Sequence, residues 1–125
     1  MRRSQEARGQ ATVELALALP VIVLALLLCI QVALVARAQV LVVDAAREGA
    51  RAEAVRAGSA AIAAHATPGL DSGRMSVEAG GGGADAVRVT VHYRAPTDVP
   101  LVGVLLGEPD LTASVVMHSE DEGDG

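Results

Sequence analysis

Gly9 and Glu14 stand five positions apart, where a short basic leader, Met1 to Arg8, meets an uncharged apolar run from Leu15 to Ala36. The chemistry this arrangement suits is proteolysis, with the chain as substrate. A glycine before the scissile bond leaves no side chain to obstruct a peptidase, and it enters extended conformations without steric cost. A cut between Gly9 and Gln10 frees an amine one helical turn from the Glu14 carboxylate. The two are natural partners within one subunit or between neighbours. Glu14 also suits the membrane boundary, because a carboxylate is tolerated at the interface but costs about 3 kcal/mol at the bilayer centre. Joined to Gly9 at this spacing, it reads as an assembly residue in preference to a boundary marker alone.

Other residues that could do chemistry are not assembled for it. His65, His92 and His118 are widely separated, with no Cys or acidic partner at metal-ligand spacing. Cys29 is the only cysteine, which excludes an intrachain disulfide framework and a thiolate metal cluster. Ser59, Ser72, Ser76, Ser114 and Ser119 lack a nucleophile motif. Gly80 to Gly83 lack the Lys and Ser/Thr of a phosphate loop, and the acids from Glu120 onward do not match a calcium loop. The net charge is −5 and the basic residues are all arginine, three of them in the first eight positions, so a nucleic-acid footprint is missing. The expectation is a chain that is not an enzyme and takes no cofactor, metal, nucleic acid or small-molecule substrate.

The element that must position Gly9 and Glu14 is the apolar run, 22 residues without a formal charge. As a helix it spans about 33 Å, against a hydrocarbon core of about 30 Å. It is apolar on every face, unlike the amphipathic helix of a soluble core. No second run of this length exists, so a single pass through the lipid bilayer is expected. Arg2, Arg3 and Arg8 precede the run while Arg37, Arg47 and Arg51 follow it, leaving the positive-inside count nearly balanced. The short leader points to a cytoplasmic N-terminus, because the other end carries the foldable mass. A secretory signal is the rival reading, with Ala36-Arg37-Ala38 imitating a small-residue cleavage site. Against it stand a run longer than the usual stretch of about 7–15 residues, Glu14 at its entrance, and a helical pattern that continues past Ala38. Pro20 predicts a kink near Ala16. Ala25, Cys29 and Ala33 recur every four residues and form a face for a second helix, to which Gln31 adds an interhelical hydrogen bond of about 0.6 kcal/mol.

Beyond the run, Val40 to Glu53 still reads as helix, Ala-rich and with acid-to-Arg pairs at i, i+3: Asp44 with Arg47, Glu48 with Arg51, Glu53 with Arg56. Ala38, Leu41, Ala45, Gly49 and Ala52 make a small-residue stripe on which another element can lie close. One helix from about Gln10 to Arg56 would be roughly 70 Å long, a stalk beyond the membrane. Ala60 to His65 predicts a further turn or two of helix before the turn Thr67-Pro68-Gly69. The period then becomes two: Met75 to Ala79 and Val87 to Arg94 read as strands, Gly80 to Asp85 as a flexible hairpin loop, and Leu111, Ala113, Val115 and Met117 as the inward side of a third strand. With no Phe, no Trp and one Tyr, the core must come from small aliphatic side chains, and the sheet needs the helix or a partner as cover.

These residues resemble a known family. Gly9-Gln10-Ala11-Thr12-Val13-Glu14-Leu15-Ala16-Leu17 with Pro20, then Ala45-Ala46-Arg47-Glu48-Gly49-Ala50-Arg51 after the span, is similar to the TadE-like proteins of bacterial pilus assembly. The resemblance covers roughly Arg8 to Arg51. It implies a minor pilin or pseudopilin of the tight-adherence (Flp-type) pilus, a branch of type IV pili, held in the cytoplasmic membrane with its C-terminal region exported. The implied partners are a prepilin-type peptidase and other pilus-assembly subunits, TadF-like or Flp-type pilins. Leu15 departs from the pattern, since prepilin-type motifs of this system often carry an aromatic residue there.

The expected class is α+β: a long N-terminal transmembrane helix continuing as a stalk, then a small antiparallel sheet of about three strands. The expected organisation is a cytoplasmic leader (1–9), the span and stalk helix (10–58), a small extracytoplasmic region (59–119) and an acidic disordered tail (120–125). A membrane-anchored extracytoplasmic adaptor unrelated to pili is the alternative function.

Overall fold

The computed structural model describes residues 2–119, with side chains from Gln5 onward. The expected acidic tail, residues 120–125, lies outside the described residues. The element order is α1 (Arg2–Val55), α2 (Ala60–His65), a 3-10 turn (Ser72–Arg74), β1 (Met75–Gly83), β2 (Ala86–Arg94), α3 (Val102–Leu106) and β3 (Asp110–His118). A long N-terminal helix followed by a three-stranded antiparallel sheet is the α+β class that the periodicities predict.

The helix α1 is longer than expected at its start, running through the leader from Arg2 where the sequence suggested Gln10. Gly9 is the one weak helix former in that stretch and costs only about 1 kcal/mol. Pro20 stands inside the element. Termination follows the sequence closely: α1 ends at Val55, and Gly58 takes φ +83°, the left-handed conformation that glycine enters cheaply.

The chain divides into two compact units. The first comprises residues 1–33 with 97–107. Its part of α1 is long and apolar enough to cross a membrane, and its large hydrophobic side chains are almost all exposed, as a lipid-facing helix requires and a soluble core helix forbids. The second comprises residues 34–96 with 108–125 and holds the C-terminal half of α1, α2 and the sheet.

Within the second unit the strands form a meander in the order β1-β2-β3. The register aligns Met75 with Tyr93 and Leu111, and Val77 with Val91 and Ala113, placing the apolar positions of all three strands on one face. That face forms one buried cluster with Val42, Ala45, Ala46 and Ala50 of α1 and Ala60 and Ala64 of α2. The opposite face is polar, with Thr90 Oγ1 donating to Ser114 Oγ at 3.1 Å and His92 Nδ1 lying 3.0 Å from Thr112 Oγ1. Small residues let helix and sheet approach closely. A Cβ added at Gly49 would lie 3.1 Å from the Ala60 carbonyl oxygen and 3.2 Å from Val89 Cγ1.

Two expectations need correction. The glycine run is strand, not loop: Gly80 pairs with Arg88, Gly81 with Val87 and Gly83 with Ala86, and only Ala84 and Asp85 turn the chain. Ladder hydrogen bonds to β2 offset the entropy of ordering glycine, and the irregularity between Gly81 and Gly83 is a bulge in which Gly83 takes φ +135°. Of the three acid-to-Arg pairs, Asp44 and Arg47 meet at 3.6 Å, but Glu53 turns away from Arg56. Its carboxylate instead accepts from the backbone N–H groups of Gly58 at 2.8 Å and Ala60 at 2.9 Å. These bonds, that of Gly58 first, hold the Glu53 carboxyl below its ordinary pKa. Glu53 thereby serves the start of α2, where the adjacent Ser59 side chain makes no cap.

Candidate processing and assembly site

Gly9 and Gln10 lie on one turn of α1 and Glu14 on the next, and all three are exposed. A Cβ at Gly9 would meet nothing within 4 Å, so the backbone there is open to an approaching protein. Thr12 Oγ1 donates to the carbonyl of Arg8 at 2.9 Å, a bond from a threonine to the fourth residue before it that slightly weakens and bends a helix. It falls beside the proposed scissile bond. Glu14 is four residues from Gln10, about 6 Å along the axis, close enough for its carboxylate to meet an amine freed at Gln10.

Ala25, Cys29 and Ala33 are exposed and share one face of α1. Gln31 does not share it. Two residues on from Cys29, it points to another side, is 2 % exposed, and its Oε1 has no hydrogen-bond partner among the described residues. Leu27, one turn before Gln31, is half-buried. This covered side, which the apolar sequence conceals because every position there looks alike, is the feature that reading by residue type missed.

The second unit has an open polar cleft of about 670 Å³ beside β2. Its charges are matched: Arg74 Nη1 donates to Glu108 Oε1 at 3.0 Å and Arg94 Nε to Asp110 Oδ1 at 3.4 Å. The Glu108 carboxylate, bonded to and beside Arg74, raises the guanidinium pKa further, so Arg74 stays charged. His65, His92 and His118 are exposed and not brought together, and among the described residues there is no group of three His, Cys, Asp or Glu that could hold a metal.

The segment bearing Gly9, Glu14, the apolar run and the small-residue stripe is also the segment with a known likeness. Residues 9–51 match the TadE-like protein family. The TadE-like segment thus begins at the glycine of the proposed cut and ends just beyond Gly49, where α1 packs on the sheet. The likeness and the apolar helix together fit a membrane location and a role related to the Tad pilus. No curated protein and no solved structure matches the chain.

Proposed function

We propose that this protein is a minor pilin or pseudopilin of a tight-adherence pilus, matured by a prepilin-type peptidase and built into the assembly complex through α1. The observation that carries the reading is Gly9 and Glu14, exposed on α1 just before its apolar run, whose side chains face outward, inside the TadE-like segment. The peptidase must unwind α1 at Gly9 to reach the Gly9–Gln10 bond. Glycine's weak helix propensity lowers that cost by about 1 kcal/mol relative to alanine, and the Thr12 bond to Arg8 further loosens the same turn.

After the cut, the new amine of Gln10 and the Glu14 carboxylate form the polar contact that registers one subunit against another. Ala25, Cys29 and Ala33 offer a face on which a neighbouring helix from a TadF-like or Flp-type pilin packs. The N-terminus is cytoplasmic and the sheet extracytoplasmic. The protein acts by assembly and not by catalysis.

Intact-mass measurement of the protein from piliated cells tests the proposal. The expected mature chain begins at Gln10, and Gly9→Leu should leave the leader attached. Retention of residues 1–9 in cells that assemble pili normally would refute it.

A further inference from the structure

The segment from Val99 to Gly107 reads Val-Pro-Leu-Val-Gly-Val-Leu-Leu-Gly, nine residues with no charge, between Asp98 and Glu108. Its apolar side chains do not make a core. Leu101, Leu105 and Leu106 are exposed, and Val104 is 91 % exposed. Leu101 takes φ +67°, a left-handed conformation that a leucine rarely adopts. The segment is nevertheless a closed loop, with the single turn of α3 (Val102–Leu106) at its centre. Thr97 Oγ1 donates to the carbonyl of Gly107, and Gly103 packs so closely on Thr97 that an added Cβ would lie 3.2 Å from its carbonyl oxygen.

The loop belongs to the same compact unit as residues 1–33 of α1, and it is that unit's only stretch outside the helix. Buried residues in this unit are Gln31 on the helix and Val99 and Val102 on the loop. The loop therefore shares one compact unit with the part of α1 in which Gln31 is buried. Gln31 is five residues before Ala36, where the run ends, which is about 7.5 Å inside the hydrocarbon by helical rise. Interfacial segments sink about 5–10 Å into the headgroup and acyl boundary.

We propose that the loop 97–107 is a second membrane contact, inserting Leu101, Val104, Leu105 and Leu106 into the leaflet on the C-terminal side of the span. Its occupant is lipid, because the loop's exposed apolar side chains belong to the same compact unit as a helix already long and apolar enough to cross a bilayer. Asp98 and Glu108 mark the level at which the chain enters and leaves the interface. The inference rests on the membrane-span reading.

The test uses the full chain in vesicles of phosphatidylethanolamine and phosphatidylglycerol, with an environment-sensitive fluorophore on a single cysteine. The native Cys29, exposed on the span, reports on the span itself. Val104→Cys and Leu105→Cys, each with Cys29→Ser, report on the loop. The expected result is a blue-shifted emission from both loop positions, lost to lipids carrying a nitroxide at a shallow acyl carbon and little affected by aqueous iodide. Loop labels that emit as in water and are lost to iodide, while Cys29 is still quenched by lipid, would overturn the inference and leave the span intact. Labels on Cys29 that lipid nitroxides fail to quench would overturn both. A blue shift that lipid nitroxides leave untouched and that fades as the protein is diluted in lipid would assign the surface to a second copy, and would equally overturn it.

Discussion

Gly49 is where local and tertiary physics give opposite signs. By helix propensity alone, Gly49→Ala should stabilise α1 by about 0.8–1 kcal/mol. The added Cβ, however, would lie 3.1 Å from the Ala60 carbonyl oxygen, 3.2 Å from Val89 Cγ1 and 3.5 Å from Ala64 Cβ. The first of these is backbone and the second belongs to a wholly buried β-branched side chain, so neither can swing aside. Overpacking of this kind costs about 1–3 kcal/mol, which leaves a net loss of up to about 2 kcal/mol for alanine after the propensity gain. Gly49→Leu forces three further carbons into the same gap and should lose about 2 kcal/mol or more. For a unit of this size each kcal/mol lowers Tm by about 4–8 °C, so the leucine variant should melt at least about 8 °C lower. Tyr93 is buried in the same cluster and is the only aromatic residue, so its fluorescence in detergent-solubilised full chain follows this unit alone. Gly9→Ala, where a Cβ meets nothing within 4 Å, is the control and should leave that melt unchanged. Variants at Gly49 melting at or above the parent would refute the close approach of α1 to the sheet.

Glu53→Ala should cost about 1–2 kcal/mol at neutral pH by removing both acceptors for Gly58 and Ala60. Because the folded-state pKa of Glu53 is lowered, its contribution is present above the unfolded value of about 4.3 and is lost as pH falls through the folded value. Parent and variant should therefore converge in stability as pH falls through the folded value, and a gap that stays constant into acid would show that the charge plays no part. A fragment from Ser59 to Gly125 lacks Val42, Ala45, Ala46 and Ala50, so only Ala60 and Ala64 of α2 remain from the helical side of the cluster that buries Val89, Val91 and Tyr93. Its small aliphatic core cannot offset ordering 67 residues at about 1.5 kcal/mol each, and it should be unfolded or aggregate; well-dispersed amide spectra and a cooperative melt would contradict this. Glu14→Ala should insert normally, since insertion depends on the apolar run, but should impair association with pilus components; normal piliation would reduce Glu14 to a boundary marker.

Much of the fold was legible because it rests on short-range periodicity. Charge-free residues from Leu15 to Ala36 announce a membrane-length helix by length alone, and the alternation in Val87, Val89, Val91 and Tyr93 announces one face of a strand. The candidate processing site was equally legible, since Gly9 and Glu14 lie on one local element and their spacing needs no tertiary contact to interpret. Where propensity misled, a long-range partner had intervened: Gly80 to Gly83 look like loop until β2 supplies the ladder that holds them extended.

What the sequence by itself determined is the long helix, the turn or two of α2 and the apolar faces of the strands, with Gly9 and Glu14 as a candidate site. Tertiary structure alone decided which side of the apolar run is covered and which partners Glu53 finds. In a run that is apolar on every face but for Gln31, no periodic pattern marks the covered side, so the burial of Gln31 becomes visible only in the folded chain. The same holds for Glu53, whose partners lie five and seven residues ahead around a bend instead of along the helix face. It holds again for the segment 97–107, where Val99 and Val102 are buried while Leu101, Val104, Leu105 and Leu106, of the same residue types, are left exposed. Periodicity encodes an element's shape within a few residues, whereas burial is a relation between segments that only closure of the chain creates.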